Sequence, residues 1–325
     1  MNFSIRYRRY RSYVHTYLKN FVRKDSPASL YEPSRYILSG GGKCVRPVLV
    51  LLACNVVGGR WKNALHAAAA MEILHNFTLV HDDIMDHADA RRGRPTIHTR
   101  WDANVAILTG DVLIGLAYQA LLRTPNAETN RLMRVFTQGI VEVCEGQAYD
   151  KEFETSRAVR PEDYLMMISK KTGRLIAVSA ELGAIIGGGS RRQQTVLRQF
   201  GSAVGRAFQL QDDLLDIVGD EKSFGKKIGG DVVEGKKTFL LLHALRRAHG
   251  KDRALLMRVF HHHRVSWRSV EAVRRIYYAT GAIDAARRLV ERNTVAAHRA
   301  LKSFPNSPAR GMLAWFTDQL LHRTT

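Results

Sequence analysis

Asp82, Asp83 and Asp86 stand close together at the end of a long apolar stretch. No Gly or Pro interrupts the chain between Asn63 and Gly93, and its apolar residues recur three and four positions apart, so we predict one helix that ends near Gly93. Asp82 and Asp86 then share a face, one turn apart, with Asp83 beside them. Like charges this close raise one another's pKa and destabilise a helix, so the cluster predicts a bound cation.

The same spacing returns 130 residues further along the chain (212 minus 82). Here Gln209 precedes Asp212, Asp213 and Asp216, and the four side chains fall on one helical face. Either segment alone is compatible with a solvated acidic helix face. Two copies in the same register, each in an otherwise apolar helix, instead predict two long helices that face each other.

Carboxylate oxygens suit hard divalent cations, and Mg²⁺ keeps several waters while it takes one or two carboxylates together with substrate phosphates. The expected ligand is therefore a metal-bound polyphosphate. Without such ions, six carboxylates and a diphosphate would repel one another by roughly 4 kcal/mol per pair near a protein surface.

The chain resembles the trans-prenyl diphosphate synthases, which join allylic diphosphates head-to-tail to isopentenyl diphosphate. The resemblance covers positions from about 40 to 240. In chain order its motifs are Gly41-Gly42-Lys43 with Arg46-Pro47, His75, the first aspartate motif, Arg91-Arg92-Gly93, Lys171-Thr172, Gln209 with the second aspartate motif, Gly225-Lys226 and Gly235-Lys236. Either acidic motif alone is weakly specific, whereas the ordered set is highly specific.

The resemblance implies an all-α fold, a large single-domain antiparallel helix bundle with a central cavity, called the isoprenoid synthase fold. It implies about three Mg²⁺ ions, as in the family, held by Asp82, Asp83, Asp86, Asp212, Asp213 and Asp216. It assigns isopentenyl diphosphate to Gly42, Lys43, Arg46, His75 and Arg92, and the allylic diphosphate to Arg91, Lys171, Gln209, Lys226 and Lys236. The catalytic residues it implies are Asp82, Lys171, Thr172, Gln209 and Asp212.

The residues themselves support part of this assignment. Consecutive glycines before Lys43 let backbone N–H groups approach an anion. His75 lies two helical turns before Asp82 and shares its face. Arg91 and Arg92 offer planar forks that match phosphate oxygens, a geometry that lysine lacks.

The resemblance also bears on the length of the product. Phe77 lies five residues before Asp82, and Thr78 lies four before it. In the family, a bulky residue at the first of these positions restricts chain growth. The implied product therefore has fifteen to twenty carbons, and we favour twenty, geranylgeranyl diphosphate, because Thr78 is not a second aromatic residue. A farnesyl diphosphate synthase is the alternative.

The composition is that of an ordinary globular protein, with 45% hydrophobic and 25% charged residues among 325. No linker rich in Pro, Gly or Ser divides the chain, so we expect one domain: a basic N-terminal helix over residues 1–25, the motif-bearing core over 40–240 and C-terminal helices over 241–325. No run of eighteen apolar residues occurs. The three cysteines lack metal-ligand spacing and predict a reducing, cytoplasmic location.

The net charge of +20 raises polyanion binding as a rival function. No nucleic-acid motif is recognisable, so we expect no nucleic-acid partner. The N-terminal segment lacks the apolar core of a secretion signal, but Tyr10, Val14, Leu18 and Phe21 follow helical spacing between basic residues. This helix either packs on the bundle or on a partner subunit, which we favour, or makes a peripheral contact with anionic lipid.

Two further alternatives stay open. A class I terpene cyclase shares the helical bundle and the first aspartate motif, but it needs neither the second motif in this form nor the site at Lys43 and Arg46. A non-catalytic subunit of a heteromeric synthase is disfavoured by the intact aspartates. A homodimer is expected from the resemblance.

Overall fold

The structure is a computed structural model that describes residues 2–125, 128–219, 228–261 and 265–321. These residues are almost entirely helical, which confirms the all-α class. The α-helices are α1 (Phe3–Phe21), α2 (Ala28–Leu38), α3 (Val45–Val56), α4 (Leu65–Met85), α5 (Ile97–Arg100), α6 (Ala103–Leu122), α7 (Thr129–Thr155), α8 (Pro161–Ile168), α9 (Arg174–Ile186), α10 (Arg191–Val218), α11 (Gly230–Val233), α12 (Phe239–Leu245), α13 (Gly250–His261), α14 (Val270–Ala279), α15 (Ala282–Leu301) and α16 (Pro308–Leu321). A π-helical turn spans Ser169–Gly173, 3₁₀ turns span Trp61–Ala64 and Trp267–Ser269, and the strands β1 (Ala90–Arg91) and β2 (Arg94–Pro95) form an antiparallel hairpin.

The chain divides into two compact units. The first comprises Met1–Thr137, Val178–Leu197 and Phe304–Leu313, and the second comprises Gln138–Ala177, Arg198–Ser303 and Ala314–Thr325. The expectation of a single domain stays a prediction.

The first unit is built around α3 and α4. Val48 to Ala53 are fully buried along α3, as are Ala67 to Ile73 along α4 apart from Glu72, which is 4% exposed. Tyr10, Val14 and Leu18 of α1 are also buried, and α1 packs on α3 and α4. The apolar stripe of Tyr10, Val14 and Leu18 on the N-terminal helix therefore serves packing.

Helix α4 also packs closely against α6, and Gly110 of α6 leaves room there for the imidazole of His81. A Cβ atom at Gly110 would lie 2.0 Å from Nε2 of His81, so a side chain at that position would displace the histidine.

Among the described residues, α6 is the one helix long and apolar enough to cross a membrane, with a mean hydropathy of 1.8. Its inner face is covered by α2 and α4, while Ile107, Leu108 and Leu122 remain exposed on its outer face.

Helix α4 is shorter than the sequence pattern predicted. It ends at Met85, and the prediction that it continues to Gly93 was wrong. Asp86 caps its carboxyl end, where the helix dipole disfavours negative charge, and His87 follows in the left-handed region with φ of 50°. Arg91 therefore lies on the β-hairpin rather than on a helix end.

The second unit has a core formed by α8, α10, α12, α14 and α15. Its buried residues include Leu210, Leu214, Leu241, Val273 and Ile283. Helix α10, which carries the second aspartate motif, has the bounds that the sequence predicted, Arg191 to Val218. Gly219 follows its last turn, and the broken segment at Gly187 to Gly189 precedes its first.

Candidate active site

The first aspartate motif occupies the last turn of α4. The backbone N–H of Asp86 donates to the carbonyl of Asp82 at 2.9 Å, so these two residues lie one turn apart as predicted. Asp82 is half-buried, Asp83 is buried and Asp86 is exposed. Three carboxylates at a helix carboxyl end face an unfavourable dipole as well as one another, so the arrangement calls for positive partners.

One such partner is Arg91 on the hairpin. Its Nε donates to Oδ1 of Asp83 at 2.6 Å, and the Asp83 side chain is 3% exposed. Burial raises the pKa of the Asp83 carboxyl, and the Arg91 guanidinium opposes that shift. Asp83 therefore anchors the hairpin to α4, a contact that differs from the metal-ligand role expected from the sequence.

Arg92 is held by the glycine turn before α3. Its guanidinium donates to the carbonyl of Gly41, and its backbone is in the left-handed region with φ of 55°. A Cβ atom at Gly42 would lie 2.7 Å from Nη1 of Arg92. Gly42 thus leaves room for this guanidinium, and its φ of 143° is one that other residues rarely adopt.

Arg46, His75 and Arg92 share one charged environment with the buried Glu72. Burial lowers the pKa of Arg46 to about 10, while the charges of Glu72 and Asp82 favour its charged form. Its Nε is buried with no hydrogen-bond partner among the described residues. Burial holds the pKa of His75 well below its usual range, and Arg46 and Arg92 lower it further, so this histidine is neutral at physiological pH. An unsatisfied buried guanidinium N–H between cations fits an anionic ligand.

Lys43 completes the set predicted for isopentenyl diphosphate. Its side chain is exposed, and its carbonyl accepts a hydrogen bond from the hydroxyl of Tyr7 on α1. The structure thus brings together Gly42, Arg46, His75 and Arg92, and Lys43 follows Gly42 just before α3 begins.

The second aspartate motif is surrounded by residues of its own unit. Asp213 is buried and accepts hydrogen bonds from the Tyr164 hydroxyl and, at 3.0 Å, from Nε2 of Gln209. Burial and the nearby charge of Asp231 raise the pKa of Asp213 to about 8. Asp216 accepts the backbone N–H of Asp231 at 3.1 Å, and burial followed by the Asp231 charge raises its pKa to about 6. Asp212 is half-buried on the same helix.

Thr172 and Lys171 lie on the π-helical turn between α8 and α9. The hydroxyl of Thr172 donates to Oε1 of Gln209 at 2.8 Å, which continues the chain of hydrogen bonds to Asp213. Nζ of Lys171 donates to Asp150 on α7 at 2.5 Å. The π-helical turn approaches α7 at Gly146, where a Cβ atom would lie 2.3 Å from the backbone nitrogen of Lys171.

Several residues that contact these groups were not predicted from the sequence. Asp231 lies in the first turn of α11, donates its backbone N–H to Asp216 and pairs with Nζ of Lys236 at 3.2 Å. Its signal in the sequence was its place after two glycines and five positions before Lys236. Glu72 and Tyr164 carried no signal beyond helical periodicity, whereas Asp150 belongs to a partly polar helix face that could close off the cleft or merely face water. Gly225 and Lys226 lie outside the described residues.

The carboxylates of the two aspartate motifs are the candidate ligands of the predicted magnesium ions. Within residues 2–125, 128–219, 228–261 and 265–321, no three His, Cys, Asp or Glu side chains form a preassembled metal cluster. Asp82, Asp212 and Asp216 are half-buried and Asp86 is exposed, so both motifs have carboxylates that a cation can reach. Single carboxylates of this kind fit Mg²⁺, which completes its shell with waters and substrate phosphates.

Comparison with known proteins decides the family. A family model described as polyprenyl synthetase matches residues 27–277. The chain is 38% identical to the short chain isoprenyl diphosphate synthase of Methanothermobacter thermautotrophicus, over 97% of each chain. It is 34% identical to the geranylgeranyl diphosphate synthase of Methanosarcina mazei, over 96% of this chain and 95% of that one.

The chain belongs to the polyprenyl synthetase family. Its structure superposes on the crystal structure of geranylgeranyl pyrophosphate synthetase from Pyrococcus horikoshii with a TM-score of 0.93 and 36% identity, covering 99% of this chain and 98% of that one. This polyprenyl synthetase therefore has the isoprenoid synthase fold and is a prenyltransferase, which confirms the fold, the enzyme class and the family resemblance.

Proposed function

We propose that this polyprenyl synthetase condenses isopentenyl diphosphate with allylic diphosphates and releases the twenty-carbon product, geranylgeranyl diphosphate. The observation that carries the product length is the burial of Phe77 before the first aspartate motif. Phe77 is 7% exposed, and its ring meets that of His81 edge-on with centroids 4.9 Å apart. The Methanosarcina and Pyrococcus relatives, both named as geranylgeranyl synthases, support the same length.

Isopentenyl diphosphate binds to the basic group around Arg46. Arg46 and Arg92 supply guanidinium forks, Lys43 adds an exposed charge, and the neutral His75 donates or accepts a hydrogen bond. The unsatisfied Nε of Arg46 supports this role because a diphosphate oxygen would satisfy it.

The allylic diphosphate binds Arg91, Lys171, Gln209, Lys226 and Lys236, and both aspartate motifs serve its departure. Asp82, Asp86, Asp212 and Asp216 are the half-buried or exposed carboxylates that would hold Mg²⁺. When bound, magnesium supplies positive charge that stabilises the leaving diphosphate. Asp83 and Asp213 position Arg91 and Gln209 through the hydrogen bonds described above.

The chain itself contributes positioning and charge rather than a nucleophile. Cleavage of the allylic C–O bond leaves a carbocation near Thr172 and Gln209, whose hydroxyl and amide oxygens carry partial negative charge. The isopentenyl double bond attacks the cation, and the departing diphosphate takes up the proton that is then lost. Lys171, now paired with Asp150, would turn from that carboxylate toward the diphosphate.

A second copy of the chain completes the proposed assembly. The outer face of α6 exposes Ile107, Leu108 and Leu122 at helical spacing, an apolar surface that a homodimer would bury. A cytoplasmic location is supported by Cys44 and Cys54, which are buried as reduced thiols.

Mass spectrometry of the products tests this function. Purified protein with Mg²⁺, isopentenyl diphosphate and a ten-, fifteen- or twenty-carbon allylic starter should elongate the first two to twenty carbons and the third poorly. Cyclic hydrocarbon formed from an allylic diphosphate alone would identify a terpene cyclase. No turnover with any starter would contradict the proposal.

The variant Phe77→Ala tests the limit on chain length. Removal of the ring should shift products beyond twenty carbons, at a cost to stability of about 3–5 kcal/mol. Phe200→Ala is the matched control because Phe200 is also fully buried but lies on α10 in the other unit. Products of unchanged length from Phe77→Ala would show that Phe77 does not limit the length of the product.

A further inference from the structure

A groove of about 540 Å³ lies in the second unit between α8, α12 and α15. It contains none of the residues assigned above to diphosphate or metal. Its floor is apolar and consists of Leu165, Phe239, Ala285 and Leu289. Its rim is basic and carries His243, Arg246, Arg247, Arg288 and Arg292, with Glu162 as the one acidic residue. We call this feature the arginine groove.

Helical register brings these side chains to one place. On α15, Ala285, Arg288, Leu289 and Arg292 are spaced three and four apart and share a face. Each apolar floor residue of this helix is thus flanked by arginines on the same stripe. The basic rim and apolar floor are therefore built into the sequence of α15 and do not depend on a loop.

The charges of the rim are only partly compensated. Arg246 forms two hydrogen bonds to Glu162, at 2.9 and 3.2 Å. Four arginines against one glutamate leave a net charge of +3 (4 minus 1) around the groove. His243 adds none at physiological pH, because burial and the charges of Arg247 and Arg288 lower its pKa. Arg288 and Arg292 stand at i and i+4, where like charges repel, so the pair is unfavourable without an anion.

The combination of a cationic rim and an apolar floor selects a class of ligand. A simple anion would leave Leu165 and Leu289 in water, and a nucleic acid would need a longer basic track with exposed aromatic residues for stacking. An amphiphile satisfies both parts, since its phosphate meets the arginines and its hydrocarbon covers the floor.

We propose that the arginine groove binds the headgroup and upper acyl chain of an anionic phospholipid and so attaches the protein to a membrane surface. Charge complementarity supports this occupant. The chain carries a net charge of +20, of which the proposed active site uses a small part. Such a charge attracts the protein toward anionic lipid, and the groove then fixes its orientation.

Vesicle sedimentation tests the proposal. The probe is vesicles made of equal parts phosphatidylglycerol and phosphatidylcholine, with pure phosphatidylcholine as the reference. The variant Arg247→Gln with Arg288→Gln and Arg292→Gln should bind the anionic vesicles about a hundredfold more weakly than the wild type, since each arginine near such a surface contributes roughly fivefold.

The matched control removes three equivalent charges elsewhere in the same unit: Lys251→Gln with Arg258→Gln and Arg275→Gln, all exposed. Because it acts only through screened long-range attraction, its binding should fall by less than about fivefold. Condensation in solution by both triple variants should equal that of the wild type, which shows that they fold and separates this test from the proposed function.

Three results would overturn the proposal. Equal loss of vesicle binding by the two triple variants would show a general basic surface. A wild type that does not bind anionic vesicles would also overturn the proposal. Binding of a fluorescent oligonucleotide or of farnesyl diphosphate that requires the three arginines, without vesicle binding, would assign the groove to another ligand.

Discussion

Glu72 is a buried carboxylate among the cations assigned to isopentenyl diphosphate. It lies three residues before His75 on α4, and Sγ of Cys44 lies 4.0 Å from its Oε1. Burial raises the pKa of the Glu72 carboxyl, and the charges of Arg46 and Arg92 oppose that shift, so the three groups interact electrostatically. We infer that Glu72 positions Arg46.

The variant Glu72→Gln should weaken the binding of isopentenyl diphosphate. Without the opposing charge Arg46 and Arg92 repel each other, and the KM for isopentenyl diphosphate should rise about tenfold, equivalent to about 1.4 kcal/mol. The KM for the allylic diphosphate should stay unchanged. Steady-state kinetics with each substrate varied in turn measures this difference, and equal changes in both KM values would contradict the positioning role.

The same variant should change how stability depends on pH. Because the folded pKa of Glu72 is raised above its ordinary value of 4.5, the folded protein binds more protons than the unfolded chain just above that value. Its contribution to the free energy of unfolding is therefore greatest at low pH and is lost as pH rises from 4.5 through the folded pKa. Urea unfolding at a series of pH values should show a flatter profile for Glu72→Gln than for the wild type.

Among the secondary-structure elements, the β-hairpin that carries Arg91 and Arg92 contacts α2 through the side chain of Tyr36. The guanidinium carbons of Arg94 and Arg100 lie 3.9 and 4.5 Å from the ring centroid of Tyr36. The Tyr36 hydroxyl donates to the carbonyl of Pro95 at 2.8 Å. The ring thus holds both the second strand and the helix that follows it.

Two substitutions at Tyr36 separate these contacts. Tyr36→Leu removes both cation–π contacts, each worth about 0.5–2 kcal/mol, and the hydrogen bond, so the hairpin should loosen and the KM for isopentenyl diphosphate should rise about tenfold. Tyr36→Phe keeps the stacking and should change that KM by less than about threefold. A leucine variant that lowers only the melting temperature would show that Tyr36 does not position the arginines.

Elements bounded by strong breakers were predictable from sequence, and elements bounded by local electrostatics were not. Helix α10 lies between glycines, and both of its ends were predicted. Helix α4 has no Gly or Pro before residue 93 and still ends at Met85, because crowded carboxylates at its carboxyl end disfavour another turn. The π-helical turn at Lys171 also escaped prediction, since it depends on packing against Gly146 in another helix.

Within the candidate site, the residues that belong to sequence motifs were predicted. The residues that reach the site only through tertiary contacts were not. Arg46, His75 and Arg92 share one environment as expected. Tyr164 reaches Asp213 from 49 residues away, a distance over which no local pattern operates. The pairing of Asp83 with Arg91 was likewise hidden, because it depends on the hairpin that the helix prediction excluded.

The exposed apolar face of α6 predicts that the protein forms a homodimer. Ile107 and Leu108 are 44% and 58% exposed, and a charge on this face should prevent the proposed dimer. Leu108→Glu should therefore be monomeric by size-exclusion chromatography with light scattering, while the wild type is dimeric.

Ile5→Glu is the matched control for this measurement. Ile5 is 55% exposed on α1 in the same unit, so its substitution adds the same charge to another surface. This variant should remain dimeric. A wild type that is monomeric, or a Leu108→Glu variant that stays dimeric, would assign the apolar face of α6 a different partner.

We propose that Asp82 and Asp212, 130 residues apart in sequence (212 minus 82), assist the departure of the same diphosphate. The magnesium-dependent condensation rates of Asp82→Asn, Asp212→Asn and the double variant test this role. Asp284→Asn, an exposed aspartate on α15, serves as the control.

Each single variant should lose a factor of about 100–1,000 in kcat/KM, and the control none. The loss in kcat/KM of the double variant should be little larger than that of the less active single variant. The reason is that the effects of groups that stabilise one transition state are not additive. Losses that multiply in the double variant, or a single variant that keeps the wild-type rate and magnesium dependence, would contradict the claim.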